Sequence, residues 1–505
     1  MKISNIKYIL LGTTLLTLAS CGNDFLDQPI SGKLSKDEFY KTDQDASQAL
    51  IAVYDMSGAD YYQAWSSKYM VKEMPSDDSN AGGSNAGDQP GYQSLDKMAT
   101  LDPTNGNVGL TWKISYFTIY RANLVINKVQ AETNVRKRII AEAKALRAFT
   151  YFDLVALWGD VPLILNEVDP ANYTTITRAP KADVYAQIEK DLTEAIADLP
   201  LKSEYSAADK FRFSKGAAQA LLGKVYLFEE KWPEAVTQFE SVISSGQYGL
   251  EVSVAKVFSP SGEFGKESLF ESSFVSSEKY GWGNFPWGSQ PESNIHVQLM
   301  GPRSDFYTKA PADSLLGGWG FNTPKKKLYD AFVAAGDSAR RVNTIMSDVE
   351  LKKAGGDWTA PNAYDYEGYF QRKYGTFQQQ TGPEANELNY STNFRLIRYA
   401  DVLLMAAEAQ YRNGNPGKSQ QYLNMVRNRS KLASITPSGT DLFNAIVRER
   451  QLELAFEGFR FLDLVRWGMA PTELADEGFV AGKNEVLPIP INEVRTAGLV
   501  QNPKY

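Results

Sequence analysis

The chain has 505 residues, with 60 acidic against 53 basic side chains and a formal charge of −7. That balance disfavours a nucleic-acid-binding protein, because such binding depends on Lys and Arg that neutralise phosphates. A single cysteine excludes an intrachain disulfide, and a single histidine, His296, excludes a histidine-rich zinc site. Aromatic residues make up 12% of the chain, a surplus that fits a surface for flat, uncharged ligands.

The N-terminal segment resembles a bacterial lipoprotein signal. Two lysines precede an apolar run of about ten residues, too short to span a bilayer, and small residues in "LASC" lead directly to Cys21. We expect residues 1–20 to be a signal peptide and Cys21 to be acylated, with residues 21–42 as a tether to a membrane. The alternative is an ordinary signal peptide with an incidental cysteine. Without the two lysines, 51 basic residues oppose 60 acidic ones, a balance of −9.

Apolar residues recur at helical spacing through most of the chain, and strand-like alternation is scarce. The predicted helices are Ala46–Met56, Val108–Gln130, Val135–Trp158, Lys181–Leu199, Ser214–Glu230, Pro233–Ser244, Phe394–Asn413, Pro416–Ser430 and Leu442–Phe456. Ser268–Phe274 is the best strand candidate, predicted at most to form one short hairpin. The pattern predicts a mainly α protein with little β structure.

One helical stretch, "LLGKVYLFEEKWPEAVTQFESVI", has the spacing of a tetratricopeptide helix hairpin. Small residues at Gly223 and Ala235 would let the two helices cross closely, while Tyr226 and Phe239 fill the groove between them. Further copies place equivalent residues at Ala407, Ser419 and Leu423, and at Ala148 and Tyr151. Because such hairpins cannot bury their faces alone, we predict a scaffold of stacked helix hairpins.

Two long regions do not fit this scaffold, one near residues 60–107 and the other near residues 259–324. Both are rich in Gly, Ser and Asn and both carry tryptophans. Long loops in a compact chain are usually functional or disordered, and disordered segments are poor in aromatics. We therefore expect ordered loops that bind a ligand.

Sugars are the ligands that such loops would suit. An aromatic ring buries the C–H face of a sugar, while nearby polar side chains bind its hydroxyls. The candidates are Tyr61, Tyr62 and Trp65 in the first loop, with Asp77, Asp78 and Asn80 as polar partners, and Trp282, Trp287 and Trp319 in the second. Core packing is the alternative for each tryptophan, and Trp319 could simply close a turn. We assign Trp112, Trp158 and Trp467, in or beside helical patterns, to the core.

The sequence also contains an acidic ladder, Glu449, Glu453 and Glu457, whose spacing of four places three carboxylates on one helical face. Retaining glycosidases use carboxylates at a comparable separation. However, basic residues are interleaved with and follow the ladder, and they would lower the carboxylate pKa values, whereas a general acid needs a raised one. The basic residues are Arg448, Arg450, Arg460 and Arg466, and a further acidic residue, Asp463, lies between the last two. We interpret the ladder as a structural salt-bridge network.

Other catalytic signals are lacking in the sequence, which has no GxSxG, HExxH or Walker-type motif and no cysteine cluster. The pair Asp77 and Asp78 leaves two alternatives open, a surface hydrolase and a Ca²⁺ site. A solvated turn in "MPSDDSN" is the simpler interpretation. We expect no catalytic residue and no cofactor, with a structural Ca²⁺ in the loops as the exception to consider.

Several stretches resemble the SusD/RagB family of surface lipoproteins. They are "RLIRYADVLLMAAEAQYRNGN", "YLNMVRNRS", "AIVRERQLELAFEGFRFLDLVRWG" and "VLPIPINEVRTAGLVQNPKY" near the C-terminus, and "DFLDQP" and "AEAKALRAFTYFDLVALWGDVPLI" in the N-terminal part. The resemblance covers both ends and most helices, and implies one SusD-like domain over residues 43–505. The two loop regions are not diagnostic.

The resemblance implies a role in nutrient capture in Bacteroidetes-type bacteria. Family members lie on the outer face of the outer membrane, usually over a TonB-dependent transporter of the SusC type. About four tetratricopeptide-like hairpins pack against that transporter, and inserted loops facing away from them bind an oligosaccharide without cleaving it. In some branches the ligand is a peptide, which is the alternative function here. A purely structural adaptor would bind only a protein partner.

Overall fold

The structure is a computed structural model that describes residues 39–62, 65–287, 289–359, 363–382 and 385–505. The predicted signal peptide, Cys21 and most of the tether lie outside these residues. Helices α1 to α18 span Asp43–Tyr62, Lys68–Glu73, Pro90–Asp96, Gly106–Lys128, Asn134–Trp158, Lys181–Asp198, Lys215–Phe228, Trp232–Ser244, Val254–Val257, Ile295–Met300, Lys326–Ala334, Ser338–Thr344, Asp348–Lys353, Tyr399–Arg412, Pro416–Arg429, Gly439–Leu454, Arg460–Arg466 and Ala470–Glu473. Strands β1 to β8 span Ser79–Gly82, Ser268–Ser272, Tyr307–Thr308, Phe321–Pro324, Ile345–Ser347, Asp357–Trp358, Tyr369–Gln371 and Phe394–Arg398.

The long helices stack in chain order around one large apolar core, which confirms the mainly α, tetratricopeptide-like fold. Short turns join α4 to α5, α7 to α8 and α14 to α15, and α6 packs between α5 and α7. Helix α14 then packs against α8, which extends the stack towards α16. No helix in the described ranges combines the length and apolar character that crossing a membrane requires.

The predicted helix crossing at Gly223 is present between α7 and α8. A Cβ atom at Gly223 would lie 2.6 Å from the Phe239 ring, so only a glycine lets this ring approach the α7 backbone. Ala235 and Phe239 are fully buried, whereas Tyr226 is partly buried against the same core. The repeat spacing therefore predicted the interhelical packing and not merely the helices.

In the part of the chain that the structure describes, the strands form four antiparallel pairs, and each pair joins two strands that are not consecutive in the chain. Two predictions are corrected here. Residues 394–398, expected at the start of a helix, form β8, and Ser268–Ser272 pairs with β8 instead of folding into a hairpin. Both strands are mostly buried, so the alternation that identifies a half-exposed strand is missing from their sequences.

The pairing of β1 with β4 connects the two long loop regions. Asn80 lies opposite Thr323, and Gly82 lies opposite Phe321. Beyond the ladder, the Gly83 amide donates a hydrogen bond of 2.7 Å to the Gly320 carbonyl. This pairing fixes the position of the first loop relative to the second, and so positions the tryptophans of both.

Candidate functional site

Four tryptophans from the two loop regions lie together and form what we call the tryptophan platform: Trp65, Trp282, Trp287 and Trp319. Trp65 stacks on Trp319 with ring centroids 4.9 Å apart and planes inclined by 16°. Trp282 and Trp287 stack at 6.0 Å and 22°, and each ring lies 6.4 Å from Trp319. The structure therefore brings together all four tryptophans that the sequence analysis selected.

The platform has an outer and an inner layer. Trp282 is 57% exposed and Trp287 is 38% exposed, which is high for side chains of this size. Trp65 and Trp319 are half-buried and pack against the main core. The inner pair supports the platform, and the outer pair presents its rings to the surroundings.

Hydrogen bonds to their backbone groups hold the inner pair in place. The Trp319 amide donates to the Gln298 carbonyl at 2.9 Å, and the Tyr92 hydroxyl donates to the Trp65 carbonyl at 2.8 Å. Trp65 has a left-handed backbone with φ of 65°, a conformation that costs about 1–3 kcal/mol in a bulky residue and is often found at functional sites. The position of Trp65 is thus imposed by its surroundings.

The outer pair is carried by the loop between Val275 and Glu292. The Val275 amide donates to the Glu292 carbonyl at 2.8 Å and closes the base of this loop. Within it, Phe285 is buried and lies 4.5 Å from the Trp287 ring and 5.3 Å from the Tyr280 ring. A small buried cluster of Phe285, Ile295 and Leu388 anchors the loop, so its exposed tryptophans stand on a packed base.

Polar side chains border the platform at Trp319. The Arg303 guanidinium donates to the Trp319 carbonyl at 3.0 Å and forms ion pairs with Asp88 at 3.4 Å and Asp305 at 2.9 Å. Asp88 also accepts hydrogen bonds from the amide and hydroxyl of Ser84, both at 2.9 Å. Sequence reasoning missed Arg303 and Asp88, because only the β1–β4 pairing shows that their two loops meet.

Comparisons with known proteins identify the family to which the chain belongs. A model described as the SusD family matches residues 338–482, and one described as "Starch-binding associating with outer membrane" matches residues 24–227. A solved structure described as a laminarin binding SusD-like protein is 36% identical, with a TM-score of 0.84, over 92% of this chain and 100% of that one. The chain belongs to the SusD family.

Other SusD-family proteins are similar over nearly the whole length. SusD-like protein P2 from Formosa agariphila is 29% identical over 100% of both chains. Surface glycan-binding protein A from Bacteroides thetaiotaomicron, solved in complex with laminarihexaose, is 25% identical with a TM-score of 0.78. That match covers 91% of this chain and 99% of the other.

In this SusD-family chain, Asp77, Asp78 and Asn80 are not brought to the platform as polar partners, contrary to the expectation. All three are buried and bonded within the protein. Asp77 accepts two hydrogen bonds from Arg460, at 2.7 and 2.9 Å, and pairs with Lys327 at 2.7 Å. Asp78 accepts from Gln451 at 2.7 Å, and Asn80 donates to Glu367 at 2.8 Å. Asp77 and Asp78 immediately precede the buried strand β1 and Asn80 lies within it, so all three side chains have their partners inside the protein.

Burial and charge separate the pKa values of the two neighbouring aspartates. Burial opposes ionisation of Asp77, but the hydrogen bonds and charge of Arg460 outweigh it and lower its pKa. Burial and the negative charge of Asp77 raise the pKa of Asp78. Both aspartates are bonded to other side chains inside the protein. The pair therefore has a structural role, and neither side chain is open to a substrate.

The remaining candidates divide into those the structure describes and those it does not. Helix α1 ends at Tyr62, and the side chains of Tyr61 and Tyr62 lie outside the described residues. Trp112 and Trp158 are buried core residues, as predicted. Trp467 is only partly buried and donates from Nε1 to Glu408 at 2.8 Å, so its assignment to the core is corrected.

His296 also lies in the interior. It is fully buried, and burial lowers its pKa to about 3, so the imidazole is neutral at neutral pH. Neither ring nitrogen has a hydrogen-bond partner among the described residues. No group of three or more His, Cys, Asp or Glu side chains suited to a metal ion is found in the described ranges. A loop Ca²⁺ remains a prediction.

The acidic ladder is a buried salt-bridge network, but its partners differ from those expected. Glu453 pairs with Arg398 at 2.6 Å and Arg340 at 3.0 Å, and also with Arg429. Glu449 pairs with Arg340 and Arg427, while Glu457 pairs with Arg398 and Lys373. The arginines that are near the ladder in sequence form ion pairs with other carboxylates. Arg450 pairs with Asp401 and Asp463, Arg460 pairs with Asp77, and Arg466 pairs with Glu408 and Asp463. The network thus ties α16 to distant segments.

The predicted lowering of carboxylate pKa values holds for one member of the ladder and fails for another. Burial opposes ionisation of Glu453, but the charges of Arg429, Arg398 and Arg340 outweigh it and lower its pKa well below the usual range. At Glu449, burial outweighs its two arginines and raises the pKa. Sequence spacing shows which charges are neighbours in the chain, but it does not show how deeply they are buried.

Proposed function

We propose that this protein binds a neutral glycan on the tryptophan platform and does not cleave it. The observation that carries the proposal is the exposed stacked pair, Trp282 and Trp287, held over a half-buried second pair. Flat rings presented in this way suit the C–H faces of sugar residues. The mixed border of Arg303 and Asp88 offers both a hydrogen-bond donor and an acceptor near Trp319, as sugar hydroxyls require.

The ligand we favour is a β-1,3-linked glucan of the laminarin type. Two similar proteins support this choice: one is described as laminarin binding, and the other was solved with laminarihexaose. Only two rings of the platform are exposed, and association carries its own cost, so we expect a weak affinity in the micromolar to millimolar range. Such affinity suits a protein that captures a ligand and then releases it.

The proposal extends to the place of this capture in the cell. The "LASC" segment supports lipidation at Cys21, and the match to the outer-membrane starch-binding model supports association with the outer membrane. A position on the outer face of that membrane is part of the proposal, as the resemblance to surface lipoproteins implies. The bound glycan would then pass to a TonB-dependent transporter of the SusC type, with the helix hairpins as the packing surface. Absence of cleavage is supported by the acidic ladder, whose carboxylates are all held in ion pairs.

A glycan array probed with the full chain in detergent tests the ligand class, and tryptophan-fluorescence titration then tests the site. We expect β-1,3-glucans to bind and to change the fluorescence. Trp282→Ala and Trp287→Ala should each weaken binding about tenfold, which corresponds to about 1.4 kcal/mol. Trp232→Ala serves as the matched control, because this partly buried tryptophan begins α8 and lies outside the platform.

Three results would count against the proposal. Equal affinity of the wild type and both platform variants would remove the site. Binding of peptide mixtures without any glycan binding would favour the peptide alternative. Release of shorter sugars during long incubation with a bound glucan would show that the protein is an enzyme.

A further inference from the structure

The connection between α1 and α2 carries Trp65, and a buried ion pair joins its two ends. Asp60 lies in the last turn of α1, and Lys68 is the first residue of α2. The Lys68 ammonium lies 2.9 Å from the Asp60 carboxylate, and each side chain is at most 2% exposed. The ion pair therefore closes the connection into a loop that contains Trp65.

The long helices of the stack hold this ion pair in place. The Lys68 ammonium also lies 3.4 Å from the carboxylate of Asp153 in α5, which pairs in turn with Lys72 at 3.1 Å. The hydroxyl of Ser115 in α4 donates to Asp60 at 3.2 Å. Because α4 and α5 pack against each other in the helix stack, the position of the ion pair is fixed relative to the scaffold.

Hydrogen bonds extend this arrangement from Lys68 back to Trp65. The Ser67 side chain caps the N-terminus of α2, where Lys68 begins the helix. The Ser66 hydroxyl donates to the side chain of Asn107 in α4 at 2.5 Å. Trp65 comes directly before these two serines and has the left-handed backbone described above. Residues 65–67 therefore keep a defined position relative to the start of α2.

Both partners of the ion pair are charged at neutral pH. Burial raises the pKa of Asp60 to about 6, although the charge of Lys68 opposes this effect. Burial opposes ionisation of Lys68, but the charges of Asp60 and Asp153 outweigh it and raise its pKa. Replacing a buried ion pair by uncharged side chains of similar volume is often neutral for stability. The main effect of this pair is therefore expected in the geometry of Trp65 and not in the free energy of unfolding.

We propose that Asp60 and Lys68 are positioning residues for the glycan site, and that their ion pair holds Trp65 where its ring supports the tryptophan platform. The proposal rests on the proposed function. Trp65 stacks on Trp319, which contacts both exposed rings, so a displaced Trp65 would alter the whole platform. Asp60 and Lys68 are too deeply buried to touch a ligand, and they act only through Trp65.

Circular dichroism and calorimetry on the full chain test this role. Stacked indoles give adjacent positive and negative bands, an exciton couplet, and Trp65→Phe identifies the part of the couplet that comes from Trp65. The double variant Asp60→Asn with Lys68→Met keeps the side-chain shapes, removes both charges together and leaves Asp153 paired with Lys72. We expect it to lose most of the Trp65 part of the couplet and to bind laminarihexaose about fivefold more weakly. Its thermal midpoint should stay close to that of the wild type.

A matched ion pair elsewhere in the helix stack is the control. Arg147 of α5 and Asp191 of α6 pair at 2.7 Å, both are buried, and neither helix carries a platform residue. Asp191→Asn with Arg147→Met should keep the full couplet and the wild-type affinity for laminarihexaose, whatever its effect on the thermal midpoint. Equal loss of affinity in the two double variants would show a general effect of losing a buried ion pair and would overturn the proposal. An unchanged couplet in the first double variant would overturn it as well.

A milder variant decides the question where the first double variant does not fold. Ser115→Ala removes only the hydrogen bond to Asp60, and should reduce the Trp65 part of the couplet and weaken laminarihexaose binding about twofold. An unchanged couplet in Ser115→Ala would then overturn the proposal. A wild-type chain that binds no β-1,3-glucan would instead overturn the proposed function, while the couplet, which needs no ligand, still tests the positioning of Trp65.

Discussion

The indole rings of Trp65 and Trp319 stack with centroids 4.9 Å apart, although they belong to two different loop regions. Their contact lies beside the β1–β4 pairing, where Gly82 faces Phe321, and the Trp65 ring meets the Phe321 ring edge-on at 6.3 Å. The ligand surface therefore depends on a long-range strand pairing. Residues that hold the two loops together should affect binding even where they cannot touch a ligand.

The inner and outer tryptophans should respond differently to truncation. Trp319→Ala removes a half-buried ring that contacts three other indoles, so we expect the free energy of unfolding to fall by about 2 kcal/mol and glycan affinity to fall with it. Trp282→Ala removes an exposed ring, and should weaken binding with little change in stability. Urea denaturation and fluorescence titration of both variants measure the two effects. A marked stability loss in Trp282→Ala would contradict the two-layer description.

Gly82 should be sensitive to the smallest possible substitution. Its φ is +71°, and an added Cβ would lie 2.3 Å from the Gly320 carbonyl oxygen, so Gly82→Ala introduces both backbone strain and a backbone clash. We expect a stability loss of about 2–3 kcal/mol and a matching loss of glycan affinity. Gly283→Ala is the control, because nothing lies within 4 Å of a Cβ there. Thermal melting with glycan titration checks both, and wild-type behaviour of Gly82→Ala would contradict the role of the β1–β4 junction.

The sequence predicts the helices and the tryptophans well, for identifiable physical reasons. The helices have strong apolar periodicity, and the Gly223–Phe239 spacing encodes a specific close contact. The tryptophans are conspicuous because large rings are unusual in polar, glycine-rich loops. Both signals are local, so neither requires knowledge of which distant segments meet.

The polar part of the site could not be predicted in the same way. Asp77 and Asp78 resemble a solvated turn in sequence, yet both are buried just before β1, and Arg460 binds Asp77 from far along the chain. Arg303 and Asp88 carry no sequence signal, because their relevance arises only when two loops pair. Long-range pairing and burial decide the role of a charge, and neither is encoded in local spacing.

Glu453 should be the most sensitive member of the acidic ladder. Glu453→Gln leaves the buried Arg340, Arg398 and Arg429 with too little negative charge, so we expect a stability loss of about 3–5 kcal/mol at pH 7. Because the folded state lowers the pKa of Glu453, its contribution is present above the unfolded pKa near 4.5 and is lost as pH falls through the lower folded value. Denaturant titrations between pH 6 and about pH 2.5 should show a smaller pH dependence in the variant than in the wild type. Equal pH dependence would contradict this assignment.

The ionised carboxyl of Glu73, in α2, should destabilise the folded state, whereas that of Glu453 stabilises it. It is buried, one carboxyl oxygen accepts from the Gly458 amide at 2.8 Å, and the other has no partner among the described residues. Burial and the charge of Asp78 raise its pKa from 4.5 to about 8. The folded chain therefore holds a proton that the unfolded chain releases near pH 4.5, so the contribution of Glu73 is fully present below that pH and is lost as pH rises through about 8.

A neutral side chain of the same shape at position 73 should remove this fall in the free energy of unfolding at high pH. We expect Glu73→Gln to raise the free energy of unfolding by about 3 kcal/mol at pH 8 and to change little at pH 4, because the carboxyl is already protonated in both states there. Urea denaturation from pH 4 to pH 9 measures the difference between variant and wild type. Glu278→Gln, at an exposed position in the loop between Val275 and Glu292, is the control and should give a small, constant difference. A Glu73→Gln chain that is less stable than the wild type at pH 8 would show that the ionised carboxylate is needed, and that the Gly458 hydrogen bond outweighs the cost of burying the charge.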